Sequence, residues 1–508
     1  MVLTRHIARK AVKMIEYVST RNPSIRVRSS KAILDGQAEG GGLYVPSDLD
    51  KIRADYHEII KGDFRSMAKA VWNIFFDDYG EELIDKLVER SYKNKFTSED
   101  ITPVVKTHSS IAEAYVLELY HGPTSAFKDV ALSALPNLMS AARSMNDFTD
   151  DILILTATSG DTGSAAIQGF RDVPGTGIIV FYPHGGVSDT QRLQMVTPDS
   201  ANVTACAIRG NFDDAQTGVK RLFREIPKPV EGVSLSSANS INIGRLVPQV
   251  VYYFSAYSQL LRAGVIADGD KIDFVVPTGN FGDIMAGWFA LRMGLPVRRR
   301  VCASNKNDVL TEFLNTGHYD RKRDFYKTTS PSMDILVSSN LERLLYYVCG
   351  PEHTVDYMKQ LEQTGEYTIT DGELAELKSV FTGIYAGDDE GAAAIRDVFE
   401  SDSYLMDTHT SIAWACMEKY KADSSYPEVP AVVLSTASPY KFSAAVLEAL
   451  GEELTGSDEE NMKKCHDITG ADIPAGLAGI FKKPIVHNDV IEISDMKSYV
   501  IEKSNDRD

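Results

Sequence analysis

The sequence predicts an α/β protein whose sheets are mostly parallel and covered by helices on both faces. Three observations predict it. Short runs of consecutive apolar residues recur along the chain, each ends in a polar turn, and most of these turns lead into helix-prone stretches. Strands buried on both faces lose the two-residue alternation of a half-exposed sheet and read as unbroken apolar runs. Such runs alternating with helices are the pattern of a doubly covered parallel sheet.

The first unit is Asp151 to Ala157, which ends in Thr158-Ser-Gly-Asp-Thr-Gly163 and continues into the helix-prone Ser164-Ala-Ala-Ile-Gln168. Gly177 to Tyr182 is a second strand, stopped at Pro183 because proline cannot donate to a ladder. Ile272 to Val276 stops at Pro277, and Thr278-Gly-Asn-Phe-Gly-Asp283 then opens a helix over Ile284 to Arg292. Ala431 to Leu434 runs into Ser435-Thr-Ala-Ser-Pro439, with Lys441 to Leu450 reading as helix. In parallel sheets ligands bind beyond the carboxyl ends of the strands, which is where three of these turns fall.

Elsewhere the pattern changes. Residues 1–100 read as a mainly helical N-terminal domain with a glycine-rich turn at Glu39-Gly-Gly-Gly-Leu-Tyr-Val-Pro46. Residues 101–140 and 265–508 are assigned to a large α/β domain with a helical insertion at about 321–402. Residues 141–264 are assigned to a small α/β domain that carries the Ser159-Gly-Asp-Thr-Gly163 turn. Glu452 to Lys464 is acidic and expected to be exposed.

At 508 residues the chain exceeds what one core usually serves. A net charge of -18 excludes nucleic acid or an anionic membrane as a main partner, while leaving room for a local cationic pocket. The five cysteines are scattered, odd in number and never in a CxxC pair. That excludes a disulfide framework or a structural zinc site, implies no metal, and fits a reducing, cytoplasmic setting. No run approaches the ~18 apolar residues needed to cross a bilayer. Before Asp35 the basic residues Arg5, Arg9, Lys10, Lys13, Arg21, Arg26, Arg28 and Lys31 face only Glu16. This start reads either as an organelle-targeting segment or as a solvated amphipathic helix carrying Val2, Leu3, Ile7, Ala11 and Ile15; the helix is preferred.

Four stretches can carry chemistry. In His121-Gly-Pro-Thr-Ser-Ala-Phe-Lys128-Asp129, the lysine follows a Gly-Pro turn among small hydroxyl residues. A partly desolvated lysine there can attack an aldehyde, although taken alone it reads far more readily as a surface lysine at a helix start. Gly279-Asn280-Phe281-Gly282-Asp283 lies between strand and helix, where glycines permit close approach and N–H groups favour a phosphate; a plain βα turn is the other reading. Ser159, Gly160, Asp161, Thr162 and Gly163 can hold a carboxylate or merely cap a helix. Ser435 and Thr436 can present a neutral hydroxyl to a pyridine nitrogen, or cap the helix that follows.

Together these stretches resemble the threonine synthase family, pyridoxal 5'-phosphate enzymes of fold type II, the tryptophan-synthase β fold. The resemblance adds Tyr17-Val-Ser-Thr-Arg21, Gly41-Gly-Leu-Tyr-Val-Pro46, Ser237-Ala-Asn-Ser-Ile-Asn242, Ser330-Pro-Ser-Met-Asp-Ile335, Ser339-Asn-Leu-Glu-Arg343 and the run to Phe442, all in the family order. It resembles the long form of the family, with residues 1–13 preceding the usual start. The fold implied has two parallel-rich open sheets with flanking helices, plus the mainly helical N-terminal domain.

The resemblance implies that Lys128 holds pyridoxal 5'-phosphate as a Schiff base and later moves protons. It implies Gly279, Asn280, Phe281, Gly282 and Asp283 around the cofactor phosphate, and Thr436 at the pyridine nitrogen. Ser159, Gly160, Asp161, Thr162 and Gly163 are implied at the substrate carboxylate. A carboxylate at Asp161 close to the cofactor's 3-oxygen is repulsive unless one of the two holds a proton. The reaction implied is O-phospho-L-homoserine plus water to L-threonine plus phosphate, with a phospholyase or a silent homologue as rivals. Asn239, Ser240, Asn242 and Arg245 are candidates for the substrate phosphate, with Asp407-Thr-His409-Thr410 a lesser one. A monomer or homodimer is expected. The chain departs from the family at Tyr182-Pro-His-Gly-Gly186, which lacks two lysines, and at Ser438 and Tyr440.

Overall fold

The computed structural model describes residues 14–423 and 429–506. The basic start through Lys13, with its targeting and amphipathic-helix readings, lies outside them.

The expected apolar runs are strands of two open sheets. One has six strands in the order Phe381–Tyr385, Val297–Ser304, Ile272–Pro277, Ala431–Ser435, Glu113–Glu118 and Val104–His108. Only the last pairing is antiparallel. The other has five parallel strands in the order Val490–Glu492, Val203–Arg209, Thr176–Pro183, Asp151–Ala157 and Val233–Ser236. Thr176–Pro183 is buried at every position, which is why its sequence shows no alternation.

Helices cover these sheets through apolar stripes. In Phe64–Phe75 the buried residues are Phe64, Met67, Ala68, Val71, Trp72 and Phe75, the spacing of one helix face. Asp63 starts that helix by accepting from the Ser66 N–H at 2.9 Å. The stripe packs on Ile243–Arg262, a helix buried almost all round that also touches Lys128–Leu132 and Gly282–Met293. Each fully buried large apolar side chain in this stack contributes about 1.5–3 kcal/mol.

Several boundaries differ from expectation. The N-terminal region holds a three-stranded sheet of Tyr17–Ser19, Arg26–Val27 and Tyr44–Pro46 besides its helices. The stretch 321–402 is not purely helical, because Phe381–Tyr385 closes the edge of the six-stranded sheet. Residues from Val490 leave the large sheet and pair with Val203–Arg209 of the other one, so the C-terminus returns across the molecule. Lys441 does not begin a helix that runs to Leu450: Pro439–Phe442 forms a 3-10 turn, and the α-helix is Ser443–Ala449. Among the described residues no helix is long and apolar enough to cross a membrane.

Candidate active site

Two segments some three hundred residues apart in sequence lie side by side at the end of the central strand. Ala126 and Ala437 form an isolated antiparallel bridge, and the Ser438 N–H donates to the Ser125 carbonyl at 3.0 Å. The Phe127 N–H donates to the Thr436 carbonyl at 2.8 Å. The turn before Lys128 is pinned by Asp129, whose carboxylate accepts from the Thr124 N–H at 2.8 Å and hydroxyl at 2.6 Å. A Cβ on Gly122 would lie 2.4 Å from the Asp129 Cβ, so the turn requires glycine there.

Lys128 opens the short helix Lys128–Leu132, with its side chain only 11% exposed and its Nζ 4.5 Å from the centroid of the Phe127 ring. Burial pulls its ammonium down to about 8, Lys441 and Arg245 push the same way, and Asp161 resists most strongly. A useful fraction of this amine is therefore neutral near physiological pH.

The turn at 158–163 is shaped by Thr158, whose hydroxyl accepts from the Gly160 and Gly163 N–H groups, both at 3.0 Å. Gly160 has φ +145°, and a Cβ there would lie 2.4 Å from the Gln191 side chain. Asp161 starts the helix Asp161–Phe170. Its Oδ1 accepts from Lys441 Nζ at 2.8 Å and from Gln191 Nε2 at 2.9 Å, while its Oδ2 lies 3.8 Å from Lys128 Nζ. Burial alone would raise this carboxyl, but Lys441, Lys128 and the Gln191 amide together hold it well below the usual range. Ser159 is exposed at the rim and Thr162 is half-buried.

The turn at 279–283 is strained and braced. Phe281 has φ +60°, and its buried side chain packs toward Phe381, leaving its backbone as what it can offer a ligand. A Cβ on Gly279 would lie 2.5 Å from the Ser332 carbonyl oxygen. Ser338 donates to the Gly279 carbonyl at 2.8 Å, and Asn340 donates from side chain and backbone to the Asn280 carbonyl at 2.9 and 3.1 Å. Asn340 in turn accepts from Arg343, which also donates to the carbonyls of Ile241 and Tyr44. One buried arginine thereby joins the N-terminal sheet, the start of the helix Ile243–Arg262 and this turn. The Asp283 carboxyl accepts from Tyr252 and Tyr253, so its side chain is already engaged.

Of the residues offered for a phosphate on the substrate, Arg245 is buried and donates to the Ala238 carbonyl at 2.9 Å, while its Nε has no partner. Burial lowers it to about 10, and its charge reaches Lys128. Asn239 is exposed, and Ser240 accepts from Asn340 at 3.4 Å. Asn242 is fully buried, caps the helix Ile243–Arg262 by accepting from the Gly244 N–H at 2.9 Å, and donates to the Ile33 carbonyl at 2.9 Å. Both ends of its amide are engaged in holding the fold. His409 is likewise structural, with Nδ1 against Asp407 at 2.7 Å and Nε2 accepting from the Ser332 N–H at 3.1 Å.

Sequence reasoning passes over Lys441, which reads as a helix start and stands in the turn Pro439–Phe442 with its side chain fully buried. The signal was the unanswered negative charge expected at Asp161, which demands a cation. Gln191 and Asn340 are missed for the same reason: each acts through the residue it holds.

Three family models match the chain in succession: "Threonine synthase N terminus" over residues 16–92, "Pyridoxal-phosphate dependent enzyme" over 97–437, and "Threonine synthase, C-terminal" over 410–500. The threonine synthase of Schizosaccharomyces pombe is 36% identical over 471 residues, covering 86% of this chain and 89% of that protein. Threonine synthase-like 1 of Homo sapiens is also 36% identical, over 444 residues; the match takes in 83% of this chain but spans only 58% of the human protein's length. The crystal structure of the PLP-bound threonine synthase of Brucella melitensis superposes with a TM-score of 0.85 at 35% identity, covering 96% of this chain and 99% of that one. The chain belongs to the threonine synthase family of pyridoxal-phosphate-dependent enzymes.

Proposed function

We propose that the chain converts O-phospho-L-homoserine and water to L-threonine and phosphate. The observation that carries this reading is the buried, partly neutral Lys128 amine, set among three strand-end turns in a chain that matches threonine synthases almost end to end.

The residues present fit pyridoxal 5'-phosphate. Gly279 sits in a turn where a larger residue would crowd the Ser332 carbonyl, and the helix Gly282–Met293 points its N-terminus at that turn, an arrangement suited to a phosphate. Gly279, Asn280, Phe281, Gly282 and Asp283 would hold that phosphate mainly through backbone N–H groups, Thr436 would face the ring nitrogen, and Lys128 would hold the aldehyde carbon. When bound, the cofactor supplies an electron sink that lowers the barrier to removing the proton next to the amino group.

The chain's own groups then do the remaining work. Lys128 Nζ accepts and returns protons, a role suited to an amine lowered to about 8. The Ser159 to Gly163 turn receives the substrate carboxylate with N–H and hydroxyl donors. Arg245, with an unpaired buried Nε, receives the substrate phosphate, with Ser240 and Asn239 toward the surface. We assign the two sheets to a large and a small domain, and read the protein as a cytoplasmic monomer or homodimer acting on a small molecule.

The test is purified protein with O-phospho-L-homoserine, following phosphate, threonine and 2-oxobutyrate together. Phosphate and threonine rising in step support the reading. Keto acid without threonine overturns it in favour of a phospholyase. Lys128→Ala should abolish turnover, and a visible band that persists in that variant would remove Lys128 from its assigned place.

A further inference from the structure

Lys441 is a fully buried cation placed between two functional turns. Its Nζ lies 2.8 Å from Asp161 Oδ1 and donates to the Thr124 carbonyl at 2.9 Å, an oxygen it shares with Gln194 Nε2 at 3.0 Å. Lys128 approaches the other oxygen of the same carboxylate and stops at 3.8 Å. The two lysines therefore compete for one anion, and Lys441 holds the shorter contact.

The charges facing Lys128 can be counted from every side. Asp129, its neighbour in sequence, is spent on the Thr124 N–H and hydroxyl. Arg245 approaches from the central helix, and Asp283 from the start of the helix after the glycine turn, where Tyr252 and Tyr253 engage it. Asp161 and Lys441 complete the set. With Lys441 in the shorter contact, the carboxylate that touches Lys128 already has a cation of its own, while Asp129 and Asp283 are held by hydrogen bonds to Thr124 and to Tyr252 and Tyr253. A buried ammonium is costly without a close anion to itself, so the pairing favours the neutral amine.

We infer that Lys441 is a positioning residue: it neutralises and aims Asp161, and by claiming that carboxylate it leaves Lys128 with a free, neutral amine. The inference deepens the function proposed above and rests on Lys128 being the working amine. It also answers the repulsion expected for Asp161, since a carboxylate already paired with a buried ammonium presents little net charge to an anionic oxygen nearby.

The experiment reads Lys128 itself. The full chain, freed of cofactor, is acylated with a trace of acetic anhydride across a pH series, and labelling of Lys128 is quantified by mass spectrometry. In Lys441→Gln the midpoint of labelling should move up by about one unit, as Lys128 becomes the only lysine partner of Asp161. Lys441→Arg should restore the midpoint to within a few tenths of wild type. In Asp161→Asn the midpoint should fall. Asp161→Asn with and without Lys441→Gln completes the cycle and needs no unpaired carboxylate: with nothing left for Lys441 to claim, its loss there should move the midpoint by no more than a few tenths. An unchanged midpoint in Lys441→Gln, or a rise of about one unit on losing Lys441 in the Asp161→Asn background, overturns the inference. Threonine formation is assayed separately on the same proteins: shifted labelling in a chain that makes no threonine retains the role of Lys441 and removes the proposed reaction instead.

Discussion

The N–H of Phe127 donates to the carbonyl of Thr436 at 2.8 Å, and this backbone bond ties the turn before Lys128 to the segment that leaves strand Ala431–Ser435. The join between the two segments is thus held by main chain, and side-chain changes at Thr436 should leave it intact. Thr436→Val removes one hydroxyl hydrogen bond at constant shape, about 1 kcal/mol, so cofactor affinity should fall by about fivefold. Thr436→Asp should favour a protonated ring nitrogen, change the visible spectrum and depress threonine formation by at least about tenfold. Cofactor titration and absorbance spectra at one pH check both; unaltered spectra in both variants would place another residue at the ring nitrogen.

Asn340 braces the turn at 279–283 from a helix that the cofactor need not touch. Asn340→Ala deletes its bond to the Asn280 carbonyl and leaves a donor of the buried Arg343 unpaired. Such losses cost about 1–3 kcal/mol each. Both thermal stability and retention of cofactor on dialysis should fall. Retention unchanged beside a lowered Tm would confine Asn340 to joining the N-terminal sheet to the core.

How legible all this was in the sequence depended on where the information sits. The runs 151–157, 272–276 and 431–434 could be read as strands because burial on both faces strips them of polar residues. Lys128 and the two glycine turns were legible because their chemistry is local to a few neighbouring residues. Lys441 was not, since its meaning lies in a carboxylate 280 positions earlier in the chain, brought to it by the fold. Asn242 was legible only as a polar amide: its sequence does not say that its oxygen caps a helix and its N–H reaches the Ile33 carbonyl. The strand Phe381–Tyr385 was hidden in helix-rich sequence, and pairing of the C-terminal residues with Val203–Arg209 is a non-local event no window of sequence contains.

Gly160 combines φ +145° with a Gln191 side chain 2.4 Å from where a Cβ would stand. Gly160→Ala should therefore displace Gln191 from Asp161 as well as strain the backbone, costing at least about 2–4 kcal/mol and raising KM. Gly185→Ala is the control, because its φ of +73° imposes strain with nothing within 4 Å to strike. It should cost about 1 kcal/mol and leave KM alone. Equal losses of stability in the two variants would remove the steric part of the argument.

Asp283 makes the protein's stability depend on pH. Its carboxyl is 7% exposed, accepts from Tyr252 and Tyr253 through Oδ1, and has no partner at Oδ2. Burial lifts it to about 6, against the two tyrosine hydroxyls and Lys128, which pull it down. In the unfolded chain it titrates near ~4. The folded state therefore binds this proton more tightly, and the stabilisation is complete below pH ~4, declines as pH rises, and is gone above about 6. The span is worth on the order of 3 kcal/mol. Asp283→Asn keeps an oxygen for both tyrosines and carries no charge, so its urea unfolding free energy should lack this decline. The difference between the two proteins should open between pH 4 and 6 in favour of the variant, and parallel curves would show that Asp283 stays ionised throughout. Because the group lies at the start of the helix that would receive the cofactor phosphate, its ionisation also adds a negative charge behind an anion. Cofactor retention by the native chain should weaken across the same pH window, and retention by Asp283→Asn should not.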